Sequence, residues 1–434
     1  MNRFLKNAYV IILTIVFVCI FSILIVKYGM FDSDYILKNE ETSKTLTTIE
    51  KLNELKTLLD ESFGKETKEE EQIEETEETV EDESDEEYLK PGEDFKPVET
   101  REKIDRFCFV GDMYMSKHPR NAYDKKGISG IVDAGYLNIL KKSDLNVANL
   151  ECSITDVKDN EADKTFTFAL PSKYVKAFKE IGINLFTLAN NHILDYGEDA
   201  MINTIKVLDE NKISHIGAGK NIKEAKRIHI EEISGKRYGF ISASSVLPYE
   251  NWKAGDDSAG VLDGYNIKTV CAEIKKAKPY LDKIIVYMHW GKELDLVSTT
   301  WQKEYARRLV DSGADLVVGA HSHTVQEIEY YKGVPIVYSM GNFIYGGTMR
   351  DTMLVEATFN YNMDKNGMLQ LTVYPGVSNY EKVVRTWNKE TLLERYKELQ
   401  DKSSTVYIGD NGIVFTMAQV EEGLKALAEK EGKK

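Results

Sequence analysis

The sequence predicts an α/β fold in which two layers of β-sheet are flanked by helices. From about Ile104 onwards, short apolar segments rich in β-branched residues alternate with segments of helical periodicity. In open α/β sheets, functional sites form outside the carboxyl ends of the strands. Five of the apolar segments end in side chains that bind metals or transfer protons, namely Asp112, Glu151, Asn191 with His192, His289, and His321 with His323. Two segments ahead of this domain predict a transmembrane helix and a disordered acidic linker.

Residues 8–26 are predicted to form the transmembrane helix. These 19 residues carry no charge and are rich in Ile, Val and Phe. A helix of this length is long enough to cross a hydrocarbon core. A cleavable signal peptide is the alternative, but its apolar region is shorter and ends in a small-residue cleavage site, and none follows Val26. Arg3 and Lys6 precede the helix and acidic residues follow it, so residues 1–7 are predicted to be a cytoplasmic tail. We therefore expect a single-pass protein of the cell membrane whose main domain is extracytoplasmic.

Residues 27–103 are predicted to be an acidic extracytoplasmic linker. Between Glu61 and Glu99 there are 18 acidic and 4 basic residues, a net charge of −14, against −15 for the whole chain. A segment with so much charge and so few aromatic residues cannot bury enough surface to fold, and its self-repulsion favours an extended spacer. The domain that follows is close to neutral, so no nucleic-acid partner is expected.

The segments of the main domain, residues 104–380, are assigned by their periodicity and by the residues that end them. A Gly ends one helix, and a Ser-Gly-Lys turn joins two strands into a predicted hairpin. The predicted strands are 107–110, 145–148, 183–188, 214–216, 227–233, 237–243, 284–288, 316–318, 328–331 and 336–338, and the predicted helices are 131–141, 172–182, 198–211, 267–278 and 300–312. Residues 381–434 are predicted to be a helical extension without chemistry of its own.

The polar residues at the strand ends are interpreted as one shared site. His321 and His323 have one residue between them, a spacing at which two imidazoles on an extended backbone project to the same side and can bind one metal. Taken singly, Asp112 is equally well a turn cap, Glu151 a surface acid and Asn191 an Asx turn. Their occurrence at the ends of successive strands nevertheless favours a common polar site.

Six motifs carry a resemblance to a known family. They are Gly-Asp at 111–112, Asn-Leu-Glu at 149–151, Ala-Asn-Asn-His at 189–192, His-Trp-Gly at 289–291, Gly-Ala-His-Ser-His at 319–323 and Ser-Met-Gly-Asn-Phe at 339–343. Together they resemble the CapA family of bacterial capsule and poly-γ-glutamate synthesis proteins, over about residues 106–377. That family is similar in fold to the calcineurin-like metallophosphoesterases, which have two stacked sheets flanked by helices and a metal site at the strand ends.

The resemblance implies roles for individual residues. It makes His192 the catalytic residue that stabilises or protonates the leaving group. Imidazole among the ligands favours Mn, Fe or Zn, as one ion or two. Metallophosphoesterases have His two residues after the first Asp, but here that position is Tyr114, which leaves the number of ions open. The metal ligands that the resemblance implies are Asp112, Glu151, Asn191, His289, His321 and His323.

Further polar residues near the motifs are predicted to bind substrate. Residues 249–260 are Gly-rich and polar with one Trp, and they are either a lid over the site or a solvated loop. The predicted substrate-binding residues are Trp290, Glu293, Ser339 and Asn342.

The expected function is the synthesis, attachment or export of an anionic capsular polymer such as poly-γ-glutamate, with metal-dependent hydrolysis or transfer as its chemistry. One alternative is a non-catalytic, polymer-binding subunit of a membrane synthase, and another is a general metallophosphoesterase. The partners expected from the resemblance are the polymer itself, membrane-embedded capsule synthase subunits and, through residues 8–26, the lipid bilayer.

Overall fold

The structure is a computed structural model, and it describes residues 104–431 of the 434-residue chain. The predicted cytoplasmic tail, transmembrane helix and acidic linker lie outside the described residues. Within residues 104–431, none of the helices combines the length and the apolar character that crossing a membrane requires. The chain divides into two compact units, of which the larger includes the described residues up to Met417 and the other includes the described residues from Ala418 onwards.

The α-helices within the described residues cluster in the first and middle thirds of the domain and again after the last long strands. They are α1 (Lys117–Lys126), α2 (Ala134–Leu140), α3 (Val175–Ile181), α4 (Gly197–Glu210), α5 (Ile222–Ala225), α6 (Lys268–Ala277), α7 (Thr300–Asp311), α8 (Lys389–Lys402) and α9 (Met417–Glu431).

The β-strands vary from two to eleven residues in length. They are β1 (Ile104–Met113), β2 (Leu145–Leu150), β3 (Ser153–Ile154), β4 (Ala169–Leu170), β5 (Leu185–Thr187), β6 (Ser214–Ile216), β7 (Ala218–Gly219), β8 (His229–Ile233), β9 (Lys236–Ser244), β10 (Gly260–Val261), β11 (Lys283–His289), β12 (Leu316–Ala320), β13 (Ile328–Tyr331), β14 (Val334–Val337), β15 (Asn342–Ile344), β16 (Arg350–Asn360), β17 (Met368–Ser378), β18 (Val383–Arg385), β19 (Val406–Ile408) and β20 (Ile413–Thr416).

Sixteen of these strands form two large mixed sheets. The first has the spatial order β19-β20-β17-β16-β1-β2-β5-β6, with β15 beside β1 and β18 beside β17. The second has the order β13-β14-β12-β11-β9-β8, in which the four central strands are parallel and β8 and β13 are antiparallel. The mixed sheets and their helices confirm the predicted α/β fold, including the hairpin formed by β8 and β9.

The core explains why the strands read as continuous apolar segments. In β1, Phe107 and Phe109 belong to the cluster between the two sheets, whereas Cys108 and Val110 belong to the cluster beneath helices α1 to α4. Tyr238 of the second sheet meets Phe107 edge-on, with the ring centroids 4.6 Å apart. Helices α6 and α7 cover the outer face of the second sheet. The order of layers is therefore helices, first sheet, second sheet and helices, and this arrangement buries both faces of the central strands.

Two glycines allow close backbone approach at the ends of β1 and β12. A Cβ atom on Gly111 would lie 1.8 Å from the carbonyl oxygen of Gly341, the oxygen that accepts a hydrogen bond from the Asp112 N–H at 3.1 Å. A Cβ atom on Gly319 would lie 2.2 Å from the carbonyl oxygen of Tyr338. Only glycine fits at these positions, so both strands can end against a neighbouring segment and present the polar side chains that follow.

The segment after residue 380, predicted to be helical, also contributes strands. β18 pairs with β17, and β20 pairs with both β17 and β19, so all three extend the ten-stranded sheet. These strands have only three or four residues, too few for a clear alternation of apolar and polar side chains. Helix α8 agrees with the predicted helical character of this segment, and Asn388 caps it by accepting a hydrogen bond from the Thr391 N–H.

Candidate metal centre

Strand ends from both sheets converge on one buried polar cluster. Asp112 in β1 lies in register with Asn149 in β2 and with Asn342 in β15. From the second sheet, His289 ends β11 and His321 follows β12 directly. The His321 N–H donates to Asp112 Oδ2 at 3.1 Å, which joins the two sheets at the cluster. The structure thus brings together the polar side chains that the sequence places at strand ends.

Asn149 organises the cluster, although it was not among the predicted site residues. Its Nδ2 donates to Asp112 Oδ1 at 2.8 Å and lies 3.3 Å from His289 Nδ1. Its Oδ1 accepts hydrogen bonds from Thr187 Oγ1 at 2.9 Å and from Asn190 Nδ2 at 3.1 Å. Both amide atoms are engaged within the protein, so Asn149 fixes the positions of its neighbours and offers no free atom to a ligand.

The imidazoles face one another and the side-chain amides. His289 Nε2 lies 2.7 Å from Asn191 Oδ1 and 3.1 Å from His321 Nδ1. His323 Nδ1 lies 2.7 Å from Asn342 Oδ1, so Asn342, predicted to bind substrate, contacts a predicted metal ligand. All five side chains are buried. Several imidazole nitrogens and amide oxygens within a few ångströms form a donor set suited to a transition metal.

The backbone that carries two of these imidazoles is strained. His321 has φ of 95° and His323 has φ of 57°, both in the left-handed region that side chains other than Gly avoid. Each such residue costs about 1–3 kcal/mol, which the surrounding contacts must offset. The turn therefore holds both rings in place at an energetic cost, a feature typical of functional sites.

Glu151 lies at the centre of the cluster without a hydrogen-bond partner among the described residues. Both of its carboxylate oxygens are buried and accept no hydrogen bond, and they lie 3.6 Å from His289 Nε2 and 3.9 Å from His323 Nδ1. Two groups of potential ligands share it, Glu151 with His289 and His321, and Asp112 with Glu151 and His323, each with its ligand atoms within 4.8 Å of one another. A buried carboxylate without a donor is unfavourable, and a bound cation would remove this cost. The residues present therefore fit one or two divalent metal ions.

Burial and mutual repulsion shift the protonation of the cluster. Burial and the neighbouring Asp112 raise the pKa of Glu151 well above its usual range. Burial and the adjacent imidazoles lower the pKa of His289 well below its usual range and that of His321 to about 3, so both rings are neutral and can bind a metal. Burial also acts to lower the pKa of His323, but the carboxylates of Glu151 and Asp112 outweigh it and raise this pKa to about 10.

Beside this cluster, His192 forms a pair with Asp195. His192 Nδ1 lies 2.6 Å from Asp195 Oδ2, which also accepts the Phe168 N–H at 2.7 Å. Lys164 Nζ donates to Asp195 Oδ1 and to the Asn191 carbonyl, at 2.5 Å each. A carboxylate accepts hydrogen bonds, so the imidazole proton is assigned to Nδ1 and the Nε2 lone pair remains available. Burial lowers the pKa of His192 although Asp195 opposes this, so the ring is neutral near pH 7.

An aromatic wall stands next to this pair. Tyr114 stacks on Phe168 with the ring centroids 4.4 Å apart, and Phe168 stacks on His192 with the centroids 4.0 Å apart. Tyr345 lies edge-on to Phe168 and 4.9 Å from the ring of His323. Tyr114, at the position where metallophosphoesterases have an imidazole ligand, therefore contributes to a ring stack and not to the donor set.

The other predicted substrate-binding residues have different surroundings. Trp290 is fully buried in the core outside the second sheet, and its Nε1–H donates to the Tyr338 carbonyl at 2.9 Å. Ser339 is also fully buried, and its hydroxyl accepts the Gly341 N–H at 3.3 Å. Both side chains thus have hydrogen-bond partners inside the protein, and their contact with substrate stays a prediction. Glu293 is exposed, and its charge helps to raise the pKa of the central carboxyl group.

The loop of residues 249–260 packs against the segment that carries Lys164. The Tyr249 hydroxyl donates to the Asp163 carbonyl at 2.6 Å, and the Lys164 ammonium lies 5.1 Å from the centroid of the Trp252 ring. Trp252 is buried. The loop is therefore anchored beside the site through its one Trp, and its role as a lid stays a prediction.

Asp195 and Lys164 were not predicted as site residues, and the sequence contains a signal for only the first of them. Asp195 follows His192 by three residues, a spacing that lets a carboxylate reach the same imidazole in a turn, and this signal was available. Lys164 precedes His192 by 28 residues in a polar loop, and nothing in its neighbourhood marks it. Only the packing of the loop places its ammonium beside Asp195.

The fold and the cluster define a class of protein, an α/β domain with two stacked sheets and a buried carboxylate–imidazole centre at the strand ends. The family model described as bacterial capsule synthesis protein PGA_cap matches residues 106–346, more than half of the chain. The chain therefore belongs to this family, which confirms the resemblance seen in the motifs.

Two relatives from Bacillus species agree with this assignment. The PGA biosynthesis protein CapA of Bacillus subtilis is 30% identical over 312 residues, covering 70% of this chain and 80% of its own length. The capsule biosynthesis protein CapA of Bacillus anthracis is 33% identical over 299 residues, covering 66% of this chain and 71% of its own length. Among solved structures, a novel phosphatase from Mycoplasma pneumoniae is 14% identical with a TM-score of 0.44, over 64% of this chain and 95% of that one.

Proposed function

We propose that the protein is a membrane-anchored, extracytoplasmic component of capsule synthesis whose metal centre hydrolyses or transfers linkages of an anionic polymer such as poly-γ-glutamate. Family membership and the names of the two Bacillus relatives support the role in capsule synthesis. The single observation that supports the chemistry is the buried Glu151 carboxyl group, whose oxygens accept no hydrogen bond within the described residues and which lies beside the neutral imidazoles of His289 and His321.

The residues that would hold the metal are those of the cluster. Glu151, His289 and His321 form one set of ligands, Asp112, Glu151 and His323 form the other, and the Asn191 and Asn342 oxygens lie beside them. A bound divalent ion polarises a carbonyl or phosphoryl oxygen and lowers the pKa of a water that it binds. The network around Asn149 keeps the ligands in position before any ion binds, which reduces reorganisation during the reaction.

His192 would move the proton. Asp195 holds its Nδ1–H, so Nε2 is free to accept the proton of the attacking water as the water oxygen bonds to the acyl or phosphoryl centre. The bond from that centre to the leaving nitrogen or oxygen then breaks, and Nε2 returns the proton to the leaving atom. The pKa of His192, lowered by burial, suits this order because the ring begins as a neutral base.

The proposal is tested first by metal content. Purified full-length chain is incubated with Mn, Fe or Zn, dialysed and analysed for elements, alongside Glu151→Gln and the control Glu304→Gln, an exposed position in helix α7. We expect stoichiometric metal in the wild type and the control and a large loss in Glu151→Gln, which keeps the shape of the side chain but removes the shared charged ligand. Absence of metal from the wild type under all three conditions would refute a metal-dependent role.

One observation favours a second function, a non-catalytic subunit that only binds the polymer. Tyr114 occupies the position of an imidazole ligand in metallophosphoesterases and stacks on Phe168 instead. A chain that binds metal but leaves polymer length and linkage unchanged, and whose His192→Ala variant supports normal capsule production, would have this second function.

A further inference from the structure

A groove of about 300 Å³ opens beside the carboxylate–imidazole cluster. His323, which belongs to the cluster, lines one part of it, and residues of β16, β17 and helix α8 line most of the rest. We call it the His323 groove. Most of its lining follows residue 346, where the family match ends, so it is built largely by a part of the chain to which no chemistry was assigned.

Part of the lining of the groove is apolar. Val325, Met353, Pro375, Val377 and Leu399 contribute apolar surface to it. Its lining also includes two of the most exposed large apolar side chains of the described residues, at 59% for Leu296 and 69% for Met349. Concave apolar surface that remains accessible to water is typical of a binding site. No Phe, Tyr or Trp lines the groove, so it lacks the stacking surface with which proteins hold nucleic-acid bases.

Cations accompany this aliphatic lining. Arg395 is engaged by Asp351 and by Glu398, the latter at 3.4 Å. Within residues 104–431, no carboxylate forms an ion pair with the other two cations of the groove, Arg350 and Lys402. The Lys402 ammonium donates to the Val325 carbonyl at 3.3 Å, which leaves its charge uncompensated. The groove therefore offers two positive charges to a ligand that also has apolar parts.

We propose that the His323 groove binds the chain of an acidic polymer whose carboxylates are carried on a backbone of methylene and amide groups, as in γ-linked polyglutamate. The identity of the polymer rests on the proposed function, whereas the groove and its charges do not. Each γ-linked residue has two backbone methylenes that can lie on the aliphatic lining and one carboxylate that can meet Arg350 or Lys402. Because His323 belongs to both the groove and the cluster, a chain held in the groove extends to the metal centre.

Binding of a labelled γ-linked oligoglutamate of about ten residues tests the proposal. Fluorescence anisotropy is measured with the full-length chain in detergent for the wild type, for Arg350→Gln with Lys402→Gln, and for the control Lys397→Gln. Lys397 lies on the same helix but outside the groove, and it is exposed and paired with Asp401. We expect about tenfold weaker binding by the double variant, from the loss of two solvent-accessible charge pairs, and no change in the control. Unchanged thermal unfolding of the double variant establishes that it is folded.

Three outcomes would overturn the proposal. The first is equal affinity of the wild type and the double variant. The second is binding of heparin, a polyanion without this backbone, as tightly and with the same sensitivity to the two substitutions. The third is oligoglutamate binding that strengthens when the acidic residues of the 61–99 segment are neutralised but does not respond to the groove substitutions.

Metal content measured on the same samples separates this proposal from the proposed function. Oligoglutamate binding by a chain that takes up no metal would support the proposed role of the groove and refute the metal chemistry. Stoichiometric metal binding by a chain that does not bind the oligomer would support the metal centre and refute the proposed role of the groove.

Discussion

A few individual residues hold most of the chemistry that this protein can perform. Glu151 is buried without a hydrogen-bond partner in the described chain, and it belongs to both groups of potential ligands. The protonation of His192 depends on Asp195, because one carboxylate oxygen of Asp195 fixes which ring nitrogen of His192 carries the proton. These are local effects of single side chains, so single substitutions can separate metal binding from proton transfer.

Metal binding should release protons. Glu151 and His323 both have raised pKa values, that of His323 at about 10, so the metal-free cluster carries at least one bound proton at neutral pH. A divalent ion must displace this proton, and below about pH 10 the affinity should rise about tenfold per pH unit for a proton that leaves His323. Isothermal titration calorimetry in two buffers of different ionisation enthalpy measures this number directly. Identical heats in both buffers and an affinity independent of pH would contradict the proposed ligand set.

Asp195→Asn should reduce turnover without removing the metal. The amide no longer accepts a charge-assisted hydrogen bond from His192 Nδ1, so the ring loses its fixed tautomer, and kcat should fall about 100-fold. Turnover of a γ-glutamyl anilide and of a small phosphate ester provides the assay, with metal content measured in parallel. Asp199→Asn, an exposed position in the first turn of α4, is the matched control. Full activity of Asp195→Asn would exclude His192 from proton transfer through this pair.

At the scale of secondary-structure elements, the end of β1 decides whether the centre forms. β1 pairs with β2 and with β15 at Asp112, and its backbone touches Gly341 there. The strained turn after β12 supplies His321 and His323 from the other sheet. A shift of either element would displace ligands without changing any of them.

Gly111→Ala should disrupt the centre through the backbone alone. The new Cβ would meet the Gly341 carbonyl oxygen at 1.8 Å, so β1 must move away from that turn, at a cost of about 3 kcal/mol in the free energy of unfolding and with loss of metal. Gly347→Ala is the control, because its Cβ would meet nothing closer than 3.9 Å. Denaturant unfolding and metal analysis of the two variants provide the comparison. Equal stability of Gly111→Ala and the wild type would mean that this close approach is not required.

At the scale of the whole molecule, the charge of the chain is concentrated outside the described domain. Residues 61–99 account for −14 of the net charge of −15, and the domain itself is nearly neutral. We propose that residues 8–26 anchor the chain and that the acidic segment acts as an extended spacer, which would give the domain access to a polymer at some distance from the membrane.

Removal of residues 1–26 should release the protein from membranes. The full-length chain is expected in the membrane fraction and resistant to extraction with alkaline carbonate, whereas the truncated chain should be recovered in the soluble fraction with its metal content unchanged. Fractionation followed by immunodetection measures the distribution. Extraction of the full-length chain by carbonate would argue against a transmembrane segment.

The sequence by itself determined the fold class and most of the residues that form the centre, although it did not mark Asn149. Central strands with both faces buried read as continuous apolar segments, and their carboxyl ends carry the polar residues, so Asp112, Glu151, His289 and His321 could be assigned to one site. The strands after residue 380 could not be assigned, because three or four residues are too short for periodicity to show. The family resemblance rested on the same local motifs and was confirmed.

Only the tertiary structure decided which atoms meet. Nothing local to Trp290 shows that its indole packs inward, and nothing local to Lys164 shows that its ammonium reaches Asp195. The strain at His321 and the unpaired carboxylate of Glu151 also arise from the packing of two sheets against each other. A side chain's direction and partners depend on residues distant in the chain, whereas strand periodicity and the residue that ends a strand are local properties that the sequence contains.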